Sequence, residues 1–380
     1  MHHRPSSCKC IVVCQVVGPS TRLRASVTLV FRVLSACVGH TPDAMGRTNA
    51  CCCSIGESNM RNPKDVLRES LKYAREQRGR SWWHLISTLS VVFGLGATIC
   101  VFSSWLILLP ASILLGLALV RVFIIYHDYQ HGTILKGSRV ARLLMSCYGL
   151  LVLNPPSIWS RSHDHHHRNV GKMYGSSIGS YPVMTTAAWA RANRMQRFRY
   201  RAQRHALTIA FGYVTVFLYG MCIRSFLVNR HLHRDSAIAI GVHAAIIALL
   251  ALFAPWLMLF LVLVPMTVAC ALGAYLFYAQ HNFPNVRMME GKDWTYLDAA
   301  LDSSSYIRMG AIMRWFTGNI GYHHVHHVNA KIPFYRLPEA MHGIAELAPK
   351  NATSLSPRQI WKCLRLHLWD CDRGCMTSGP

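Results

Sequence analysis

The chain has 380 residues, 52% of them apolar and only 15% charged, and its mean hydropathy is positive. These proportions exclude a disordered chain and make lipid, rather than water, the first solvent to consider. Forty Lys and Arg against 16 Asp and Glu leave a net charge of +24, which suits nucleic acid, an anionic membrane surface or an acidic protein partner without choosing among them.

Residues 1–59 carry six Lys or Arg, two acidic residues and no sustained hydrophobic period. The apolar run from Val27 to Val38 is broken by Arg32 and too short to cross a bilayer. This segment reads as a basic, Cys-rich extension: a targeting presequence, a disordered tail or residues upstream of a true start at Met45 or Met60. Seven of the fourteen cysteines fall in the first 53 residues and the others are scattered without paired spacing, so they read as reduced thiols. Cys51 to Cys53 has no His or Cys partner at zinc-finger spacing.

Leu85 to Phe102 runs 18 residues without a charge, and Trp105 to Tyr126 follows with Arg121 as its only charge. Arg121 lies near the end of its run, where its guanidinium can snorkel to headgroups. Ala237 to Ala279 contains 43 residues without Asp, Glu, Lys or Arg, about twice the roughly 20 needed to cross, with Pro255-Trp256 marking a turn. The expectation is an all-α integral membrane fold over residues 60–345. Four transmembrane helices (about 85–102, 105–126, 237–254 and 256–279) form two hairpins under a helical cytosolic cap that carries a histidine-rich site.

Ala206 to Ile223 is a further uncharged run of 18 residues. Six arginines precede it from Arg191 to Arg204, and Arg224, Arg230 and Arg234 follow, so the positive-inside bias puts both its ends on the cytoplasmic side. It is expected to lie in the interface or to dip in and out. Trp189 to His205 reads as a basic helix that rests on anionic headgroups, receives an acidic partner or simply presents a solvated face. In the C-terminal tail, residues 346–380, Ser356-Pro357 with Gln359 forms a capping pattern for a short helix running towards Trp369.

Twenty-one histidines in 380 residues place fewer than one in any 15 positions, yet three five-residue windows hold ten. They are His127-Asp-Tyr-Gln-His131, His163-Asp-His165-His166-His167 and His323-His324-Val-His326-His327, and all three fall on the cytoplasmic side of the expected topology. On a helix, residues three and four apart share a face, so His127, His131, His163, His166, His167, His323, His326 and His327 converge as eight imidazoles. Eight ligands are too many for one metal and suit two ions, and imidazole alone leaves Fe, Zn, Cu and Ni open. His165 and His324 occupy the off-face positions. His281, just past the fourth span, is level with the boxes and adds a ninth nitrogen. Asp128, Asp164, Asn282 and Asn319 are expected to orient ligand imidazoles, with surface or capping roles as the alternative. His84, His205, His231, His233, His243, His342 and His367 have no partner at ligand spacing.

At these residues the sequence resembles the membrane fatty acid desaturases, most closely the bacterial and plastid acyl-lipid ω-6 (Δ12) type. The resemblance rests on HDYQHG at His127 to Gly132, HDHHH followed by Asn169, QHNFP from Gln280, and Trp315 to His327 with Ile332-Pro333 and Tyr335-Arg336-Leu337-Pro338 behind it. It covers roughly Arg80 to Ala340. It implies two irons held by the eight box histidines and His281, O2 as co-substrate, a fatty acyl lipid as substrate and a cis double bond as product. No His-Pro-Gly-Gly haem motif is present, so electrons are expected from a separate donor such as ferredoxin; no nucleic-acid partner is expected. Tyr129-Gln130 stands where many relatives carry Cys-Gly, a departure that bears on the position of the new bond. The alternative is a related di-iron hydroxylase or ketolase acting on a carotenoid, sterol or alkane. A metal transporter would need ionisable ligands inside the spans, where His243 is the only histidine or charged side chain between Ala237 and Ala279.

Overall fold

The computed structural model describes residues 62–174 and 178–379. The extension at 1–59, with Met45 and the Cys51–Cys53 cluster, and Met60 just after it lie outside the described residues. The described cysteines form no disulfide.

Among the described residues, four helices are long and apolar enough to cross a membrane: Arg78–Val101, Trp105–Gln130, Arg234–Phe253 and Pro255–Ala279. The first starts at Arg78 rather than Leu85, because polar residues ahead of the apolar run are already helical and Ser81 N donates to Gln77 O at 2.9 Å. The second continues beyond Tyr126 to Gln130, so the first histidine box is the end of this helix and not a loop after it. Phe102 to Ser104 joins the first pair. In the second pair the chain breaks at Ala254, and Pro255 opens the next helix, where its missing N–H costs nothing.

The second helix is the centre of the bundle, packed against the first and the fourth. Gly116 makes the closest approach: a Cβ there would lie 2.7 Å from the Pro265 carbonyl oxygen and from the Val268 side chain. One turn earlier Ser112 Oγ donates to Phe260 O at 2.6 Å. Small residues let two apolar helices meet backbone to backbone where lipid offers no hydrophobic drive to association. The C-terminal ends of the second and fourth helices therefore lie side by side, which brings His127 and His281 to the same end of the bundle.

Arg121 does not snorkel. It is 3% exposed, donating to Thr88 Oγ1 at 3.0 Å and to Trp315 O, contacting His84 Nδ1 at 3.1 Å, and stacking on the Trp315 ring. A planar guanidinium with five donors can staple three segments at once, and here it ties the first two helices to the segment that leads into the third box. His84, unassigned by spacing, is one of the staple's partners.

Ala206 to Ile223 forms a short helix, Ala206–Ala210, followed by π-helical turns over Tyr213–Arg224. The stretch packs on the third and fourth helices. A Cβ on Gly212 would lie 2.8 Å from Cys270 O, Tyr213 Oη bonds His243 Nε2, and Cys222 Sγ donates to Leu153 O at 3.3 Å.

The remaining segments build a cap of short helices with a little sheet that the all-helical expectation did not contain. Met184–Thr185 pairs parallel with Leu368–Asp370, which pairs antiparallel with Cys375–Thr377, and Tyr306–Arg308 pairs parallel with Ala352–Ser354. The C-terminal helix spans Pro357–Leu364 and stops short of Trp369, because that residue is in the central strand of the three. Ser356 makes no capping bond with its side chain.

Candidate metal centre

The second box sits on the helix Pro156–Asn169, whose N-terminus is capped from another part of the chain. Ser157 N donates to Asp235 Oδ2 at 2.9 Å, Ser157 Oγ also bonds Asp235, and His233 Nδ1 lies 2.9 Å from Ser157 Oγ. A carboxylate on exposed helix N–H groups is favoured by hydrogen bonding and by the helix dipole. The start of the third long helix thus fixes the box-two helix, a link between residues 78 positions apart that no local motif announces.

The third box is a short helix, His323–Val328, with all six residues buried. The chain enters it through two left-handed residues, Gly318 (φ 49°) and Asn319 (φ 57°). A Cβ on Gly318 would meet the Ile124 side chain at 2.8 Å, so glycine is required there both by φ and by the neighbour. Asparagine tolerates the same region better than most residues.

The nine histidines singled out in the sequence come together in two sets. His127, His131, His163, His167 and His326 form one; His166, His281, His323 and His327 form the other; within each, the ligand atoms lie within 4.8 Å of one another. The two later boxes are each divided. In the second, His163 and His167 go to the first set and His166 to the other; in the third, His326 goes to the first set and His323 and His327 to the other. An i,i+4 pair stacks on one face of a helix and the remaining residue is offset by a turn's angle, so each helix serves both sets.

In the set of four, Nε2 atoms form a closed ring: His166 to His281 2.9 Å, His281 to His323 2.9 Å, His323 to His327 3.0 Å and His327 to His166 3.2 Å. An imidazole nitrogen carries either one N–H or one in-plane lone pair, so such a ring can hold hydrogen bonds on only half of its edges. Four lone pairs aimed at a common point explain all four edges. Neighbouring ligands at right angles on one first-row ion, with bonds of roughly 2.1 Å, sit about 3.0 Å apart. The set of five has the same spacing: His127 to His163 2.9 Å, His163 to His167 3.1 Å and His167 to His326 3.0 Å between Nε2 atoms. His131 Nε2 is buried there without a partner among the described residues. The donor sets fit two metal ions held by neutral imidazoles.

Burial keeps the rings neutral. It holds His163, His166, His167, His323, His326 and His327 well below the ordinary imidazole range, and the neighbouring imidazoles add to the drop. His131 is pushed down to about 3 by the same desolvation. His281 falls to about 4, its drop opposed by its bond to the Ser303 carbonyl. Neutral imidazole is the form that ligates a metal.

Of the four residues expected to orient ligands, Asp128 alone touches one. Its Oδ1 lies 2.9 Å from His127 Nδ1 and its Oδ2 accepts from Phe334 N at 2.7 Å. Asp164 is exposed on the outer side of its helix, with its backbone carbonyl on Arg168. Asn282 accepts from Arg204 and donates to Cys363 O and Leu366 O, holding the C-terminal segment. Asn319 forms the left-handed turn and donates to Phe334 O at 3.2 Å. His165 is not in either set, and His324 turns away to Leu347 O at 3.0 Å. Spacing could not find the partner of His281, a main-chain carbonyl: its Nδ1 lies 2.9 Å from Ser303 O.

An aromatic wall closes the site on the bundle side. Trp159, one turn before His163, stacks on that ring at 4.5 Å and 16°, and the Phe123 ring meets Trp159 edge-on at 5.0 Å. Phe123 also lines an apolar cavity between the helices, together with Tyr148, Phe217, Met266, Cys270 and Gly273. Tyr148 turns its hydroxyl away to Leu119 O at 2.8 Å, which leaves its ring on the cavity.

Comparison with known proteins follows the same residues. The sequence model of the family described as "Fatty acid desaturase" matches residues 103–359. The chain is 28% identical to a Bacillus subtilis protein named fatty acid desaturase, over 83% of this chain and 90% of that one. It is 23% identical to the sn-1 oleoyl-lipid 12-desaturase of Anabaena variabilis, over 74% and 81% of the two chains. It is 22% identical to the sn-1 acyl-lipid omega-3 desaturase (ferredoxin) of Synechocystis, over 77% and 82%.

Proposed function

The chain belongs to the fatty acid desaturase family and is an oxidoreductase, and from that premise we propose that it inserts a cis double bond of the Δ12 (ω-6) type into an acyl chain carried on a membrane lipid. The observation that carries this reading is the division of nine imidazoles, seven of them buried, into two converging sets. His127, His131, His163, His167 and His326 would hold one iron and His166, His281, His323 and His327 the other. A bound iron pair would supply, from O2 and two electrons, the oxidising power that an unactivated methylene requires.

The chain's own residues do the rest. An acyl chain has no group to hydrogen-bond along its methylenes, so position along it is read by shape and apolar contact. Phe123 and Trp159 shield His163 on the bundle side. Asp128 and the Ser303 carbonyl fix the rings of His127 and His281 so that their Nε2 atoms face the sites. The four long helices are read as a multi-pass anchor with the boxes on the cytoplasmic side, where a soluble donor of the ferredoxin kind can deliver electrons; a relative of 22% identity bears that donor in its name.

Expression of the full chain in a host whose lipids are saturated and monounsaturated only should yield a new double bond, located by mass spectrometry of the fatty esters. Hydroxylated or keto products from iron-loaded protein with reductant present would replace desaturation with the hydroxylase or ketolase reading.

A further inference from the structure

The function leaves the basic helix Arg194–Arg204 unused. Its N-terminus is closed locally: Asn193 Oδ1 accepts from Gln196 N and Gln196 Oε1 from Asn193 N, both at 2.9 Å, a reciprocal cap. One side is committed to the protein. Tyr200 and Arg204 are buried, and Arg197 donates to Trp189 O at 3.1 Å and Ala190 O at 2.8 Å. Arg201 leans on the Trp189 ring at 5.0 Å.

At 100° per residue the opposite side centres on Met195, Phe198 and Ala202, with Arg194 and Arg201 along one flank and Arg199 along the other. Phe198 is 67% exposed and Met195 55%. The three flanking arginines are exposed, and Arg194 and Arg199 make no ion pair among the described residues. From Asp164 to Asp235 the sequence contains eleven Lys and Arg and not one acidic residue between them. Just beyond the helix the chain continues with exposed Leu207, Phe211 and Val214 as it reaches the third and fourth long helices.

We propose that this outward face is a binding surface for anionic phospholipid: Phe198 and Met195 enter the acyl region while Arg194 and Arg199 take the phosphates. Apolar side chains at the centre of a basic face are what an interfacial helix needs. The exposed apolar residues that follow continue the face into the part of the chain that packs on the membrane helices. An acidic protein would match the charge but would not call for that continuation. The inference concerns a surface outside the metal sets and does not depend on the reaction assigned to them.

The test is hydrogen exchange of the iron-loaded full chain in nanodiscs of phosphatidylcholine, compared with nanodiscs of phosphatidylcholine and phosphatidylglycerol. Amides of 194–204 should exchange more slowly when phosphatidylglycerol is present, and the difference should shrink as salt is raised. An arginine near an anionic surface contributes about fivefold in binding, so the double variant Arg194→Gln, Arg199→Gln should weaken docking about 25-fold and erase the difference. Phe198→Ser should reduce it as well. Because these side chains are exposed, iron content should stay unchanged and report an intact fold. Equal exchange in the two lipids, or a lipid effect untouched by the double variant, overturns the proposal. Protection that appears only on adding an acidic plant-type ferredoxin overturns it in favour of a protein partner.

Discussion

Replacing His166 or His326 by alanine should abolish turnover, and the two variants should differ in how much iron they keep. His166 belongs to the set of four and His326 to the set of five. Loss of His166 leaves three imidazoles in its set, and loss of His326 leaves four. Iron measured per chain after gel filtration should therefore fall further in His166→Ala than in His326→Ala. Both effects should exceed the roughly 10–100-fold seen when only an outer partner of a ligand is removed. His233→Ala is the control. Its ring bonds Ser157 Oγ, but Ser157 keeps both of its bonds to Asp235, so the box-two helix stays capped and iron and activity should be retained. Activity surviving in either ligand variant would remove that residue from the proposed coordination.

Asp128→Ala is expected to be nearly as damaging although Asp128 belongs to neither set. The carboxylate is 1% exposed and serves two buried donors, His127 Nδ1 and Phe334 N. Each donor left without a partner costs about 1–3 kcal/mol. The two losses act in different places. Freeing His127 lets its ring turn away from the site, with a drop in metal affinity of roughly 10–100-fold. Freeing Phe334 loosens the segment behind the third box, where the Phe334 carbonyl also accepts from Asn319. Asp128→Asn keeps one acceptor oxygen and turns the other into a donor, so it should fall between alanine and the parent. Titration with a chelator reads the order directly. Parent-like iron retention in the alanine variant would show that the His127–Asp128 contact is incidental.

The four long helices were legible in the sequence because long apolar runs suit a membrane span, and the arginines on both sides of Ala206–Ile223 set that further run apart. The histidines were legible because helical spacing and metal ligation demand the same intervals. What spacing could not say is how the ligands divide. His166 and His167 are neighbours in the chain yet belong to different sets, a fact that depends on how their helix is rotated and therefore on the distant Asp235 cap. Arg121 was misread for a related reason. Its position near the end of an apolar run fits snorkelling, and only the fold reveals the Trp315 carbonyl and His84 waiting for it. Arg204 shows the same limit. It is one of six arginines in a basic run, but it is fully buried, bonded to Pro182 O, Tyr278 Oη and Asn282. Asp164 sits next to His163 and His165 in sequence, and adjacency along a helix points side chains apart, not together, whereas Asn282 lies past the end of the fourth long helix, where it turns to Arg204 and the C-terminal segment. Asp128 is the exception because His127 lies at the helix end, where the Phe334 N–H and the imidazole approach from different segments.

Everything assigned to the site depends on two metal ions held by imidazole nitrogens. Purified full-length protein loaded with iron-57 should contain two irons per chain, give Mössbauer signals from two inequivalent sites, and show an X-ray absorption shell dominated by nitrogen. A single iron at full loading, or a shell rich in sulfur or carboxylate oxygen, would contradict the account.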